Sequence, residues 1–450
     1  MAVLTKIMEG RFSKANHWLP WLVCLSGGLL FFYEFIQLNI VNSISTELMG
    51  TFHINAETLG KLSSTYFYAN VACLFLAGNL LDRFSTRNLV LLAMVLCTAG
   101  TFGFALAPSV ILAGICRAII GVGGSFCLLS AIRLASRWFP PKRIALLTGL
   151  IVMMAMLGGW VAQMPATILV DFFGWRGMMF INGALGVILT CWLWLIIQDR
   201  PAHHYAKTAE EYGRLKQLGL WQSILLVLGN LQNWLAGLYT CLLNLPIFLL
   251  GAMWGKMYLM QADKLSSAQA SFVCGMLFWG SIVGSPLMGF ISDLMGLRRL
   301  PMLIFSAVSL VIIVPTLYIS GLGFTSLSIL FFLLGLMTCS QVISYPLVSE
   351  RNPSILTGTA VSIVSITCLL GGAIGFPFSG WLLDLGWDHK LVNGLPIYSI
   401  ADFHHMLLIM PIAFIVSLII AWLIKETYCK PQHRFDSQDI QPAVITNELN

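Results

Sequence analysis

Charge is what this chain is short of: Asp, Glu, Lys and Arg make up only 10% of its 450 residues, against 58% that are hydrophobic. With a mean hydropathy of +0.84, so much apolar surface cannot be hidden in one water-soluble core. The solvent for most of the chain is therefore lipid. A formal net charge of +6 would hint at nucleic acid in a soluble protein, but here the cations stand in loops beside apolar runs, where bilayer topology puts them. No nucleic-acid partner is expected.

The signatures of chemistry are missing too. There is no Gly-x-x-x-x-Gly-Lys-Ser/Thr loop, which excludes an ATP-driven pump. There is also no nucleophile paired with a base and no metal-ligand cluster, since His53, His203, His204, His389, His404 and His405 all stand near loops or segment ends. Neither an enzyme nor a cofactor or metal site is expected. The eleven cysteines show no Cys-x-x-Cys spacing. Those from Cys24 to Cys368 lie in apolar segments and only Cys429 in a polar tail, which suits small hydrophobes and not disulfides. No cleavable signal peptide is evident, because the first apolar run, starting near His17, follows an amphipathic basic lead and has no small-residue cleavage site after it. The Asn-x-Ser/Thr frame at Asn352 is spoiled by Pro353, an absence that favours a bacterial inner membrane.

What is present is a series of apolar runs of the roughly 20 residues that span a bilayer. Twelve are drawn, at 18–43, 57–81, 88–107, 109–135, 143–168, 177–197, 229–254, 267–290, 300–320, 324–349, 355–384 and 402–424. The one long polar stretch, Gln198 to Leu218, carries Asp199, Arg200, His203, His204, Lys207, Glu210, Glu211, Arg214 and Lys216. It divides the chain into a lead (1–17), an amino-terminal six-helix half (18–197), a linker with one interfacial helix (198–228), a carboxyl-terminal six-helix half (229–424) and a polar, mobile tail (425–450). Counting Lys and Arg orients these parts. With the amino terminus in the cytoplasm, about 19 of the 25 cations fall on that side, and the other side has only Lys61, Arg176, Lys256, Lys264 and Lys390. Both termini are expected in the cytoplasm.

After the second run the chain reads Gly78-Asn-Leu-Leu-Asp82-Arg83-Phe-Ser85-Thr-Arg87, and after the eighth Gly289-Phe-Ile-Ser-Asp293-Leu-Met-Gly296-Leu-Arg298-Arg299. In each, an apolar run ends in glycine, an aspartate follows four residues on, arginines follow that, and a new apolar run begins. The pair resembles the signature loop of the major facilitator superfamily, Gly-x-x-x-Asp-x-x-Gly-x-Arg-Arg, with Ser85 where the family has its middle glycine. The resemblance covers essentially the whole chain. It implies an all-α integral membrane protein with twelve transmembrane helices in two six-helix halves, the major facilitator fold, transporting by alternating access and working as a single chain. A narrower likeness, carried by Phe-Phe-Tyr-Glu-Phe-Ile-Gln around Glu34, Tyr66 to Asn70 and Asp82 to Arg87, is to the phagosomal nutrient transporters of intracellular bacteria. Members of that branch are linked to uptake of amino acids and nucleosides, and related ones to siderophore movement.

Two formally charged side chains remain deep in apolar segments, Glu34 and Arg117, where a charge costs about 2.5–3.5 kcal/mol on insertion scales. At 1.5 Å per residue both lie roughly 12–14 Å below the outer surface, a depth at which they can pair. Arg117 with Gly121, Gly123 and Gly124 resembles the superfamily's fourth-helix motif, whose arginine is associated with proton coupling. Glu34 and Arg117 are the expected coupling residues, with a static ion pair as the plainer alternative.

Substrate contacts are expected from Tyr33 and Gln37, four apart on one helical face, and from Tyr66 and Asn70, spaced alike. Trp160 and Gln163 on the fifth run and Asn244, Gln341 and Tyr345 in the second half complete the candidate cavity. Each alone is more ordinarily a helix-to-helix hydrogen bond. Trp254 and Lys256 read as an outer interfacial anchor. In the repeated loops Gly78, Asp82, Arg83, Arg87, Gly289, Asp293, Gly296, Arg298 and Arg299 form a gate in which the aspartates hold arginines and helix ends together while the cytoplasmic side is closed. The superfamily's drug-antiport motif has proline after its fifth-helix glycine, whereas Gly158 is followed by Gly159. The expected function is proton-coupled uptake of a small polar organic nutrient such as an amino acid. The rival is export or import of a siderophore or drug-like solute.

Overall fold

With no water in the bilayer core, every backbone N–H and C=O must find its partner inside the protein, which leaves helices as the spanning elements for this chain. The computed structural model describes residues 18–139, 144–199, 227–319, 321–352, 357–388, 391–392 and 395–430. Most of the linker, the lead and the end of the tail lie outside these residues, and so does the expected interfacial helix.

Helix 1 is Leu19–Asn39 continued, after Ile40, by Val41–Phe52, and it stops where His53 takes a left-handed conformation. Helix 2 (Ala56–Arg83) and helix 3 (Thr86–Leu106) begin at Asn55 and Ser85, whose side chains accept from the N–H groups of Thr58 and Asn88. Helix 4 is Val110–Gly124 followed by Cys127–Trp138. Helix 5 is Ile144–Val161 and, past Gln163, 164–173; Gly174, at φ +69°, turns the chain into helix 6, 175–196. Helix 7 is Leu231–Leu243, a π turn at Ile247–Gly251, and Gly255–Ala262. Helix 8 (Ser267–Met295) opens on a Ser266/Gln269 capping box and closes on left-handed Gly296, and helix 9 is Arg299–Tyr318. Helix 10 is Gly323–Thr338, a 3₁₀ turn at Cys339–Ile343, and Ser344–Arg351. Helix 11 (Thr357–Leu385) and helix 12 (Ile400–Leu407, Ile409–Leu423) are joined by a loop with one antiparallel two-residue pairing, Leu391–Val392 with Leu395–Pro396.

Among the described residues ten stretches are long and apolar enough to cross a bilayer, one of them the 50-residue Leu147–Ile196. Gly174 divides that stretch into helices 5 and 6. Helix 2, made more polar by Ser63, Ser64, Tyr66, Tyr68 and Asn70, brings the number of spanning helices to twelve. The first span runs well past the expected end at residue 43. Its polar continuation, with Asn42, Ser43 and Ser45 all buried, is turned toward neighbouring helices and not toward water.

Helices 1 to 6 and 7 to 12 form two halves that pack on each other mainly through helix 2 against helix 11 and helix 5 against helix 8. Within the second half helices 8 and 10 cross closely. A Cβ at Gly284 would lie 2.6 Å from the Leu336 carbonyl, and Cβ atoms at Gly280 and Gly335 would collide with the carbonyls of Phe332 and Leu277. Apolar side chains such as Ile111, Phe172, Leu294, Val311 and Trp422 are exposed on the outside, as lipid-facing positions are. The chain enters helix 1 and leaves helix 12 on the same side, the terminal face; the helix 1–2 and helix 7–8 turns lie on the opposite, far face.

Candidate functional site

On helix 1 the run Leu29 to Phe35 is apolar except for Tyr33 and Glu34, and packing against helices 2 and 4 seals Glu34 to 3% exposure. Arg117, on helix 4, is 2% exposed; its Nη1 donates to the Gln37 carbonyl at 2.5 Å, and its guanidinium carbon stands 5.4 Å from the centre of the Tyr66 ring. Tyr66 Oη in turn accepts from Asn70 Nδ2 at 3.1 Å. Gly124 is where these groups converge, since a Cβ there would lie 2.7 Å from Tyr66 Oη, 2.8 Å from Asn70 Nδ2 and 3.2 Å from Glu34 Cγ. The fourth-helix glycines thus make room for a polar cluster of Glu34, Gln37, Tyr66, Asn70 and Arg117.

The expected ion pair is not formed. Glu34 Oε2, Arg117 Nε and Nη2, and both side-chain polar atoms of Gln37 are buried without hydrogen-bond partners. Each unmet buried group costs about 1–3 kcal/mol, so the cluster is not a satisfied structural lock. The Tyr33 hydroxyl lies 3.2 Å from Thr101 Oγ1 and 3.1 Å from the Asn182 carbonyl, which ties it to helices 3 and 6.

In the second half Asn244 and Gln341 exchange amide hydrogen bonds, with Gln341 Nε2 donating to Asn244 Oδ1 at 2.9 Å and Asn244 Nδ2 also 2.9 Å from Cys368 Sγ. Asn233 and Asn352 form a second reciprocal pair on the same two helices, at 2.7 and 3.2 Å. Tyr345 is half-buried. Trp160 meets Trp279 across the halves, ring centres 5.7 Å apart.

Lys256 and Trp254 are not an interfacial anchor. Both are buried, and Lys256, at 2% exposure, is a third enclosed charge that sequence reasoning assigned to water because it follows the apolar run. Its Nζ donates to the Ser43 carbonyl at 2.8 Å and its backbone N–H to Asn42 Oδ1 at 3.0 Å. Asn42 Nδ2 donates to Gln163 Oε1, and Gln163 Nε2 to the Gly251 carbonyl, both at 2.8 Å. Ser43 Oγ donates to the Ala162 carbonyl at 2.5 Å. Gln163 therefore belongs to a clasp. Its members sit where helices 5 and 7 lose their regular ladder, and side chains satisfy the freed carbonyls there. Nearby, Asp384 accepts from the N–H groups of Ala56 and Glu57 at 3.3 and 2.7 Å and from the Tyr398 hydroxyl at 2.6 Å, capping helix 2 from the other half. Thr167 bonds Ser271 at 2.7 Å. The described hydrogen bonds joining the halves all lie toward the far face.

At the terminal face the described networks stay within one half each. Asp199 accepts from Ser85 Oγ, the Arg87 N–H and, at 3.2 Å, Arg137 Nη1; Arg87 Nη2 donates to the Trp194 carbonyl at 2.8 Å. In the second half Arg298 bridges Asp293 and Glu350, both at 2.7 Å, and Arg299 lies over Trp422. The N–H groups of Arg298 and Arg299 donate to Glu426 at 2.7 and 2.8 Å. The first residues of the tail are thus pinned. The side chains of Asp82 and Arg83 lie outside the described residues; Gly78 and Gly289 are open, with no atom within 4 Å of an added Cβ. Asp199 and Glu426, each just past the last helix of its half, do the same job, and the chain leads into them alike, Trp194-Leu-Ile-Ile-Gln-Asp199 and Trp422-Leu-Ile-Lys-Glu426.

The fold and its two-fold arrangement agree with known proteins. The Major Facilitator Superfamily profile matches residues 25–262 and 236–445. A probable sulfoacetate transporter of Cupriavidus necator is 23% identical over 206 residues, 46% of either chain. A multidrug resistance protein of Mycobacterium tuberculosis is 25% identical over 195 residues, 43% of this chain and 36% of that one. The chain spans less than half the length of these curated relatives. Among solved structures, a bacterial homologue of the human lysosomal transporter Spinster, in an inward-facing and occupied conformation, superposes with a TM-score of 0.72 at 14% identity over 91% of this chain and 97% of that one. A D-xylose–proton symporter does so with a TM-score of 0.70 at 13% identity over 91% and 99%. Matched by the profile across both halves, the chain belongs to the Major Facilitator Superfamily of membrane transporters.

Proposed function

We propose that the chain is a secondary active transporter that brings a small polar organic nutrient, most directly an amino acid, into the cytoplasm together with a proton. The observation that supports this reading is the unpartnered Glu34 carboxylate, sealed between helices 1, 2 and 4 beside an arginine it does not pair with. When the far face is open, Glu34 takes a proton; its lost charge changes how Arg117, Tyr66 and Asn70 share their hydrogen bonds, and the halves close over substrate. When the terminal face opens, the proton leaves and the charge returns. That a proton symporter shares the fold is consistent with this.

The halves 18–197 and 229–424 rock about the linker 198–228, with Tyr66, Asn70, Trp160, Asn244, Gln341 and Tyr345 facing the substrate between them. The cation count supports a cytoplasmic terminal face with both termini on that side; the membrane is a bacterial inner one, as the spoiled glycosylation frame at Asn352 favours, and the protein works as a single chain. The likeness around Glu34, Tyr66 and Asp82 supports membership of the phagosomal nutrient branch. In proteoliposomes Glu34→Gln is expected to reduce uptake driven by a pH gradient to background while amino-acid counterflow continues; a variant with the wild-type pH dependence would remove Glu34 from coupling. The second reading, transport of a siderophore or drug-like solute, is favoured by the multidrug relative, and counterflow of iron chelates in place of amino acids would select it.

A further inference from the structure

Lys256 is a buried cation that neither the coupling cluster nor the repeated loops use. Among the described residues no carboxylate lies within ion-pair distance of it; Glu47 and Asp171 are the acidic groups that face it at longer range. The one described hydrogen-bond partner of the ammonium is neutral, the Ser43 carbonyl, while Asn42 Oδ1 accepts from the Lys256 backbone N–H. Enclosing an ammonium without a counter-charge costs several kcal/mol, and a glutamine or methionine would fill the same space without that cost.

The clasp joins helix 1 to helix 7, one from each half. Opening the far face separates them, and the ammonium then faces the water-filled way in with the Ser43 carbonyl withdrawn. We propose that Lys256 is the first contact for a carboxylate on the transported molecule, which takes the place of the Ser43 carbonyl on Nζ. A carboxylate outcompetes a neutral carbonyl for an ammonium because the charge-assisted bond is roughly twice as strong. The same movement frees Gln163 Nε2 from the Gly251 carbonyl and makes it a further donor, while Asn42 Nδ2 stays on Gln163 Oε1 within the first half. Re-closure returns Ser43 to Nζ and displaces the carboxylate inward. From Ser43 to Gln37, whose carbonyl holds Arg117, helix 1 covers about 9 Å at 1.5 Å per residue, so the second cation, with its free Nε and Nη2, stands one step deeper. The inference rests on the transporter reading and adds to it a requirement for negative charge on the substrate.

The test works before the substrate is identified. Protein in lipid nanodiscs is treated with trinitrobenzenesulfonate, an amine-reactive anion, and modification of Lys256 is read by peptide mass spectrometry. Slow labelling is expected in the wild type and about tenfold faster labelling in Asn42→Ala, where the clasp is loosened. Saturating glycine or succinate is expected to cut labelling at least about fivefold, and glycinamide to leave it unchanged. No labelling in either protein, or equal labelling with and without carboxylates, overturns the proposal. In uptake assays Lys256→Arg is expected to retain transport with a raised KM, and Lys256→Met to lose the preference for carboxylate over amide. Protection by succinate in a protein that takes up no amino acid would keep this inference and remove the amino-acid reading. Amino-acid uptake without any protection of Lys256 would do the reverse.

Discussion

At Glu426 burial alone would push the carboxyl upward, but the N–H groups of Arg298, Arg299, Tyr428 and Thr427 outweigh it and hold its pKa below the usual carboxylate value. A group whose pKa is lowered by folding stabilises the fold when ionised. Its contribution is complete above the ordinary carboxylate range and is lost as pH falls through the depressed folded value. Glu426→Gln is therefore expected to lower the apparent Tm at neutral pH, by an amount corresponding to about 1 kcal/mol after discounting for partial exposure. The gap to wild type should narrow toward pH 3, and a gap independent of pH would mean that the charge is not what holds the tail. Single residues also mark the limit of what sequence shows. Glu34 and Arg117 were legible because each interrupts a long apolar run. Lys256 was not, because it sits at the end of one, where a lysine ordinarily reaches for water; only helix 7 continuing through Gly255–Ala262 and packing on helix 1 shows that its side chain is enclosed. Asp199 and Glu426 looked like ordinary loop acids, and only tertiary contact shows each seated on the turn that starts helix 3 or helix 9.

Among the elements, helices 8 and 10 make the closest crossing described above, and its signal was present as Gly280-Ser-Ile-Val-Gly284, the small-xxx-small spacing that lets membrane helices touch backbone to backbone. Replacing Gly280 by Leu drives a side chain into the Phe332 carbonyl. The expected cost is about 1–3 kcal/mol, visible as a lower melting temperature in detergent. Gly149→Leu, where an added Cβ meets nothing within 4 Å, is the control and should melt like wild type. Span positions were legible from apolar length alone, whereas their ends were not. Helix 1 overran its expected end because Asn42 and Ser43 bond neighbouring helices and Ser45 bonds back to the Asn42 carbonyl, and polarity at a membrane protein's inner seam reads in sequence like polarity at its surface.

For the molecule as a whole, closure of the far face depends on Asp384 as much as on the Lys256 clasp. Asp384→Ala removes the acceptor for the Glu57 N–H and for the Tyr398 hydroxyl, and leaves the Ala56 N–H with Tyr398 Oη alone. A loss of about 1.4 kcal/mol, near the low end for bonds to a charged group, moves the balance between closed and open far faces about tenfold. Spin labels at Lys61, near the far-face start of helix 2, and at Lys264, on the helix 7–8 turn, should then show a longer distance in a larger fraction of molecules; an unchanged distribution would place the latch elsewhere. The twelve-helix plan and its duplication were legible from the repeated loops. Which face is fastened was not, because the fastening lies between residues far apart in the chain. The two amide pairs on helices 7 and 10 carry one last consequence. The same number of residues separates Asn233 from Asn244 as separates Gln341 from Asn352, so both pairs sit in one antiparallel register. Sliding either helix breaks both pairs together. They act as rivets that make the inner lengths of the two helices a single stiff strut; the 3₁₀ turn at Cys339–Ile343 holds Gln341 and is fastened with it, which leaves bending to the π turn at Ile247–Gly251. The outer piece of helix 7, with Lys256 on it, is thereby hung like a door leaf on a fixed post, able to swing before the rest of its half has moved.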